Sequence, residues 1–259
     1  MGKDLAEPVT WTAGNWHRRF SLQARWTEQI RQYCIQQLHL ADCQTILEVG
    51  CGTGAICTSL QKATGVNIIG LDLRADFLSY ARFIHPAGEF IQGDALALPV
   101  SAASFGCAVC HYFLLWVRDP VAALVEMRRV VRPGGWVVAL AEPDYGGRID
   151  YPDPLSALGW KQAAALSTQG ADTNAGRKLA GWLHQGGLKD VQVGLLGGQW
   201  GSAPPSDEEL ESEYEMLQAD LSDSSSPVEV AKLINLDAAA WRKGERILYV
   251  PTFYGWGRV

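Results

Sequence analysis

Between residues 45 and 141 the chain repeats one unit, a short apolar run followed by an amphipathic stretch, and this alternation narrows the folds open to it. The apolar runs at 45–50, 66–72, 89–92, 105–115 and 136–141 read as strands. The stretches at 55–63, 75–84 and 120–131 read as helices. Pro120 stands near the first-turn position that proline favours, and Arg132-Pro-Gly-Gly135 provides a stop and a turn. The strands are apolar throughout instead of alternating with polar residues, so both faces of the sheet are buried. That pattern belongs to a parallel sheet with helices on both sides.

On either side of this core the pattern changes. Residues 15–40 carry apolar positions at helical spacing, which predicts one or two helices ahead of the first strand. Past Glu142 the regular alternation stops. Helices are expected at 155–166, from 173 to Gly186-Gly187, at 207–220 and at 228–241, with strands at 191–196 and 246–253. The reading is of a single α/β domain: 1–44 as an N-terminal helical cover, 45–142 as the core, 143–240 as substrate-cover insertions and 246–259 as the final strand. Hydrophobic residues make up 47% of the chain, ample material for one core of this size.

The charge distribution excludes some partners. The formal net charge is −6, and residues 207–223 hold eight acidic side chains and no basic one. No basic stripe of the kind that tracks phosphates is present, which argues against nucleic acid. The acidic helix is expected to lie over the C-terminal edge of the sheet, its carboxylates mostly in water. No apolar run reaches the length of a membrane span, and residues 1–8 lack the apolar core of a secretory signal, so a cytoplasmic location is expected. Cys107 and Cys110 have a CxxC spacing, but residues three apart on a strand face opposite ways and cannot share a metal. The six cysteines are expected to be reduced and structural.

The densest chemistry lies in Glu48-Val-Gly-Cys-Gly-Thr-Gly54, at a strand-to-helix turn. Glycines let the backbone turn sharply and come close to a ligand, and the following helix offers free N–H groups. Asp72 ends the next strand, 22 residues beyond Gly50, placed to bind two ribose hydroxyls. Together they suit an adenosine-containing molecule at the switch point of a doubly wound sheet. Gly50, Gly52 and Ala55 also satisfy the G-x-G-x-x-A form of a dinucleotide loop, so an NAD-dependent oxidoreductase is a rival reading. Three features weigh against it. The Glu48 carboxylate would repel a pyrophosphate but suits an ammonium group. Asp94 follows the third strand, where it can accept from the adenine amino group. The chain closes with two strands joined by a long crossover, where a dinucleotide fold would have a second nucleotide-binding half.

Ile46-Leu-Glu-Val-Gly-Cys-Gly-Thr-Gly54 resembles the first motif of class I S-adenosylmethionine-dependent methyltransferases of the Rossmann-like, small-molecule type. Asp72, Gly93-Asp94-Ala95 and Arg132-Pro-Gly-Gly135 resemble the later motifs in order, covering residues 45–142. The resemblance implies a seven-stranded sheet in the order three-two-one-four-five-seven-six, the last strand antiparallel. It implies S-adenosylmethionine as cofactor, with Gly50, Cys51 and Gly52 along its methionine part and Glu48 accepting from its amino group. By the same resemblance Asp72 would bind the ribose, Leu73 would lie against adenine, and Asp94 with Ala95 would meet the adenine edge. His111 would stand beside the methionyl group. Arg25, on the N-terminal helix, is a candidate partner for the cofactor carboxylate. A non-catalytic cofactor-binding protein is the other alternative.

Methyl transfer from a sulfonium asks mainly for alignment and a dry pocket, sometimes with a base. Asp144, His111 and Glu142 are the candidates for that base, at the ends of the fourth and fifth strands, and the Glu142-Pro-Asp-Tyr145 turn is expected to face the acceptor atom. No cluster suggests a catalytic metal. Ten tryptophans, among them Trp16, Trp26, Trp200 and Trp241 in the cover segments, suit a flat or apolar small-molecule acceptor. Neither the acceptor nor the oligomeric state is legible.

Overall fold

The computed structural model describes residues 11–198 and 204–259. Trp200 and the N-terminal residues 1–8 read above lie outside that range. Seven strands form one sheet: β1 (Thr45–Val49), β2 (Asn67–Asp72), β3 (Glu89–Gln92), β4 (Phe105–Cys110), β5 (Val131–Pro143), β7 (Lys189–Leu195) and β9 (Thr252–Arg258). Their order is β3-β2-β1-β4-β5-β9-β7, and β9 runs antiparallel to both its neighbours. This is the expected arrangement, with the last strand slotted between the fifth and sixth in the sheet.

Alternation along each strand divides the core in two. Ile46, Cys107, Val109, Val138 and Leu140 pack against α2 (Glu28–Gln37) and α3 (Ala55–Thr64) on one face. Leu47, Val49, Ala108, Cys110 and Val137 pack on the other against α5 (Pro120–Val130) and α7 (Ala175–Gln185). Cys107 and Cys110 therefore sit in different layers, as the strand period requires. In β9 the small residues fall on the α7 side. A Cβ at Gly255 would come within 2.9 Å of Leu179, so glycine lets the helix close onto the strand.

Two strand limits differ from those expected. Arg132-Pro-Gly-Gly135 does not precede the fifth strand but lies inside it: Val131 already pairs with Phe105, and the four residues bulge before Trp136 pairs with Cys107. The stretch at 246–253 is not one strand. Ile247–Tyr249 (β8) pairs with Ile149–Tyr151 (β6) in a separate two-stranded sheet, and the chain breaks at Pro251 before β9. Proline has no N–H to continue the ladder.

Within 143–240, α7 and β7 belong to the core, and the remainder forms a third layer. α6 (Ser156–Thr168), α8 (Asp207–Leu221) and α9 (Pro227–Arg242) share a small core around Leu158, Leu217, Leu221 and Val230. The acidic α8 begins at a capping box between Ser206 and Glu209. It is tied to α1 (Ala13–Trp26) by Arg18–Glu215, Arg19–Glu213 and Arg25–Glu208 pairs. Glu208 and Glu215 stay largely exposed in these pairs, and Glu213 is the one that Arg19 encloses.

Candidate cofactor loop and acceptor cavity

The turn after β1 is built as the glycines require. Gly50, Gly52 and Gly54 all have positive φ, at 74°, 53° and 81°. A Cβ at Gly50 would stand 2.2 Å from the Phe113 ring, and one at Gly52 would stand 2.8 Å from Phe20. The amides of Gly50 and Cys51 donate to Leu71 O, which fastens the loop to the end of β2. Asp72 lies beside it: one carboxylate oxygen accepts from Gly52 N at 2.7 Å and the other from Arg74 N at 2.9 Å. Each oxygen keeps a further lone pair for a ligand hydroxyl. Gly93 N donates to Asp72 O, so the third-strand loop carrying Asp94 and Ala95 joins the same rim. The Leu73 side chain is 66% exposed there, an apolar surface without cover.

Glu48 is the outlier of this group. It is 2% exposed, and its Oε2 has no hydrogen-bond partner among the described residues. Burial pushes its carboxyl up to about 8, and Asp72 adds to the rise, while contact with Cys57 and the charge of Arg31 oppose it. A buried acceptor lacking a donor fits a ligand that brings an ammonium group, so the residues present fit S-adenosylmethionine. The sign of the resulting pH dependence is fixed. The folded-state value lies above the usual carboxyl value, so this group stabilises the ligand-free fold below about pH 4.5, and that contribution is lost as pH rises through about 8. A ligand ammonium requires the ionised form, so S-adenosylhomocysteine affinity should rise about tenfold from pH 6.5 to 7.5. Calorimetric titration checks this, and Glu48→Gln should flatten the profile.

His111, Thr27 and Arg31 form a buried chain next to this loop. His111 Nε2 lies 2.7 Å from Thr27 Oγ1, which also accepts from Arg31 Nη1 at 2.9 Å. Burial, with Arg31 nearby, holds the imidazole well below its usual value, so His111 is neutral. Arg25 is not part of this group. Its side chain is 54% exposed and lies 3.5 Å from Glu208, whereas Arg31, one helix later, is the arginine whose charge reaches Glu48.

Glu142 and Asp144, the candidate bases, are both engaged by donors of the fold. Glu142 is fully buried and still within β5; its oxygens accept from the backbone amides of Phe113, Leu114 and Leu115 at 3.0–3.2 Å. Burial pushes its carboxyl up to about 7 against those hydrogen bonds. Asp144 accepts from Gly147 N, from Arg177 N and from the Arg177 guanidinium at 2.6 Å. Both carboxylates hold turns together. Asp144 has two donors on each oxygen, Glu142 two amides on one and one on the other, and neither lines the cavity.

That cavity, of about 470 Å3, lies beyond the C-terminal ends of β4 and β5. Its walls come from α1 and α2 (Arg19, Trp26, Ile30), from Tyr112 and Tyr145 after the two strands, and from the cover (Leu158, Glu213, Leu217, Trp241). The acidic helix lines the cavity through Glu209, Glu213 and Leu217. Trp26 and Trp241 furnish walls, while Trp16 packs on Phe20 and Phe77 at 5.6 and 6.3 Å. Phe20, Phe113, Arg31 and Glu213 were not marked by the sequence. Each gains its role from a partner distant in the chain.

Comparison with known proteins agrees with this geometry. A family model described as a methyltransferase domain matches residues 47–139. Demethylmenaquinone methyltransferase of Bacillus subtilis is 32% identical over 166 residues, covering 56% of this chain and 71% of that protein. Malonyl-[acyl-carrier protein] O-methyltransferase of Erwinia billingiae is 31% identical over 134 residues, covering 52% and 51%. The chain spans about half the length of several of the curated relatives it matches. Phosphoethanolamine N-methyltransferase 2 of Haemonchus contortus, solved with S-adenosylmethionine, shares the fold with a TM-score of 0.54 at 15% identity, over 83% of this chain and 48% of that one. With its glycine loop, its acidic strand ends, its strand order and these relatives, the chain belongs to the class I S-adenosylmethionine-dependent methyltransferase family.

Proposed function

We propose that the protein transfers a methyl group from S-adenosylmethionine to a small molecule held in the cavity, leaving S-adenosylhomocysteine. The observation that carries this reading is the unpartnered buried oxygen of Glu48 beside a glycine loop, with an acceptor-sized cavity lined in part by α1, the helix whose Phe20 meets that loop. When bound, the cofactor supplies an electrophilic methyl on a sulfonium. Glu48 accepts from its amino group, and the Gly50, Cys51 and Gly52 backbone lies along its methionine part. Asp72 takes the ribose, Leu73 covers adenine, and Asp94 with Ala95 meets the adenine edge. His111 stays neutral beside the methionyl group, and Arg31 takes the role first assigned to Arg25. The family relationship weighs against the oxidoreductase alternative.

With Glu142 and Asp144 committed to backbone amides, the rate comes from alignment and exclusion of water, not from a strand-end base. The acceptors named for the two curated relatives differ widely, so this chain's acceptor is read from its own cavity walls, in which apolar and aromatic side chains surround mostly paired charges. The work would be done in the cytoplasm, where Cys51 and Cys57 stay reduced. Two measurements test the proposal. Separate titrations with S-adenosylmethionine and NADH should show binding of the first alone, and a metabolite library should include an acceptor that yields S-adenosylhomocysteine. Asp72→Ala should weaken both adenosyl ligands about 10- to 150-fold, the loss of about 1.5–3 kcal/mol of charge-assisted ribose bonds. A change within about twofold removes the ribose assignment.

A further inference from the structure

The charges around the cavity are almost all satisfied within its walls. Arg148 is paired with Asp150, and Arg246 with both Asp150 and Asp237. The second oxygen of Asp237 accepts from the Tyr214 hydroxyl. Glu209 is held by Ser206 and Trp26. The exception is the pair formed by Arg19 and Glu213, joined by one contact of 2.7 Å from Nη1 to Oε2. Glu213 Oε1 has no partner among the described residues, and a fifth of the side-chain surface remains open on the cavity that the residue lines. Arg19 is 6% exposed, and its Nε is a buried donor with no acceptor. Besides that enclosed Nε, the ion pair leaves Glu213 Oε1 and Arg19 Nη2 without a partner among the described residues, and both residues line the cavity.

Among the described residues every arginine of the wall is ion-paired, so an anionic acceptor finds no free cation; of the carboxylates only Glu209 lacks an ion pair, and Ser206 and Trp26 already donate to it. Burying either charge uncompensated is costly. A hydroxyl group both donates and accepts, which matches Glu213 Oε1 and Arg19 Nη2. The rest of the wall, with Leu158, Leu217, Trp241 and the rings of Tyr112 and Tyr145, is mostly apolar or aromatic, interrupted by Gln23, Thr27, Gln162 and Thr252. Burial pushes both phenols up, so they remain uncharged at neutral pH.

We propose that the cavity binds an uncharged, largely apolar molecule through a hydroxyl group that donates to Glu213 Oε1 and accepts from Arg19 Nη2. This names the acceptor class for the methyl transfer proposed above and rests on that reading only for the word acceptor. Glu213 and Arg19 are then residues that determine specificity. Glu213 is held below the usual carboxyl range by Arg19 in spite of its burial, which suits an anchor better than a base.

The test uses the full chain and four naphthalene probes, each titrated by calorimetry with and without S-adenosylhomocysteine. 2-Naphthol should bind about tenfold tighter than 2-methoxynaphthalene, which lacks the donor, and tighter still than 2-naphthoate or 2-naphthylmethylammonium. Replacing the whole pair, Arg19→Met with Glu213→Leu, avoids stranding one charge. In that double variant the preference for 2-naphthol over its methyl ether should fall to within about twofold, with S-adenosylhomocysteine affinity unchanged. A charged probe binding tightest, a preference that persists in the double variant, or no binding of 2-naphthol would each overturn the proposal. Failure of S-adenosylhomocysteine to bind the natural protein would instead overturn the methyl-transfer reading, while the ranking of the probes still decides this one.

Discussion

Arg246→Met should destabilise the protein by about 3–5 kcal/mol, the usual cost of removing one partner from a buried ionic network. Arg246 is completely buried. It donates to Asp237 from Nε at 2.6 Å, to Asp150 from Nη2 at 2.7 Å, and to the carbonyls of Tyr151 and Ile247 from Nη1. It therefore joins α9 to the β6–β8 sheet and carries the compensating charge for Asp237. Without it Asp237 retains only the Tyr214 hydroxyl, while Asp150 still has Arg148. The loss should be uneven, falling on the cover more than on the sheet. Denaturant unfolding gives the total, and hydrogen exchange should show α8 and α9 losing protection before β1 and β4. A second change, Asp237→Leu, should recover part of the loss, because an apolar pair needs no compensation. A loss below about 1 kcal/mol from Arg246→Met would mean that water compensates Asp237 and that the network is less isolated than its burial indicates.

Glu142→Ala should cost a similar amount, about 3–5 kcal/mol, for a different reason. Its carboxyl is the acceptor for three successive backbone amides, Phe113 to Leu115, which open a short 3-10 turn at the end of β4. A buried amide without a partner costs about 1–3 kcal/mol, and here there are three. The same turn carries Phe113, whose ring lies against Gly50, so cofactor affinity should fall along with stability. Glu142→Gln separates a structural role from a catalytic one. The amide keeps one acceptor oxygen, so the folded variant should retain turnover within a few-fold, whereas losing a catalytic base costs about 100-fold or more. Melting curves and single-turnover methyl transfer on the same samples give both numbers.

How far the chain could be read from its residues depended on the range of the interactions. The glycine loop was legible because its constraint is local: positive φ and close approach at Gly50 and Gly52 are properties of those positions and of the turn they make. The order of the sheet followed from the resemblance and from strands apolar on both faces. The limits of the last strands were not legible. Ile247–Tyr249 is drawn into pairing with β6, almost a hundred residues earlier, and Pro251 separates it from β9. Glu142 and Asp144 misled for a related reason. Carboxylates at a strand end look available for chemistry until amides from the β4 turn and from the start of α7 are seen to occupy them. Arg25 and Arg31 could not be told apart without the break between α1 and α2 at Thr27, which turns the second arginine inward. Glu213 was hidden in an acidic run that reads as a solvated face, since its partner Arg19 lies 194 residues away.

Helix α1 carries Phe20 against Gly52 on one side and Arg19 in the cavity wall on the other. Neighbouring residues of one rigid rod thus touch both the glycine loop and the cavity. Thermodynamic linkage makes the consequence symmetrical: whatever factor a filled glycine loop imposes on the affinity of the cavity, a filled cavity imposes on the loop. The order in which the two ligands arrive can then be set by rates alone, because the free energy of the ternary state is the same by either route.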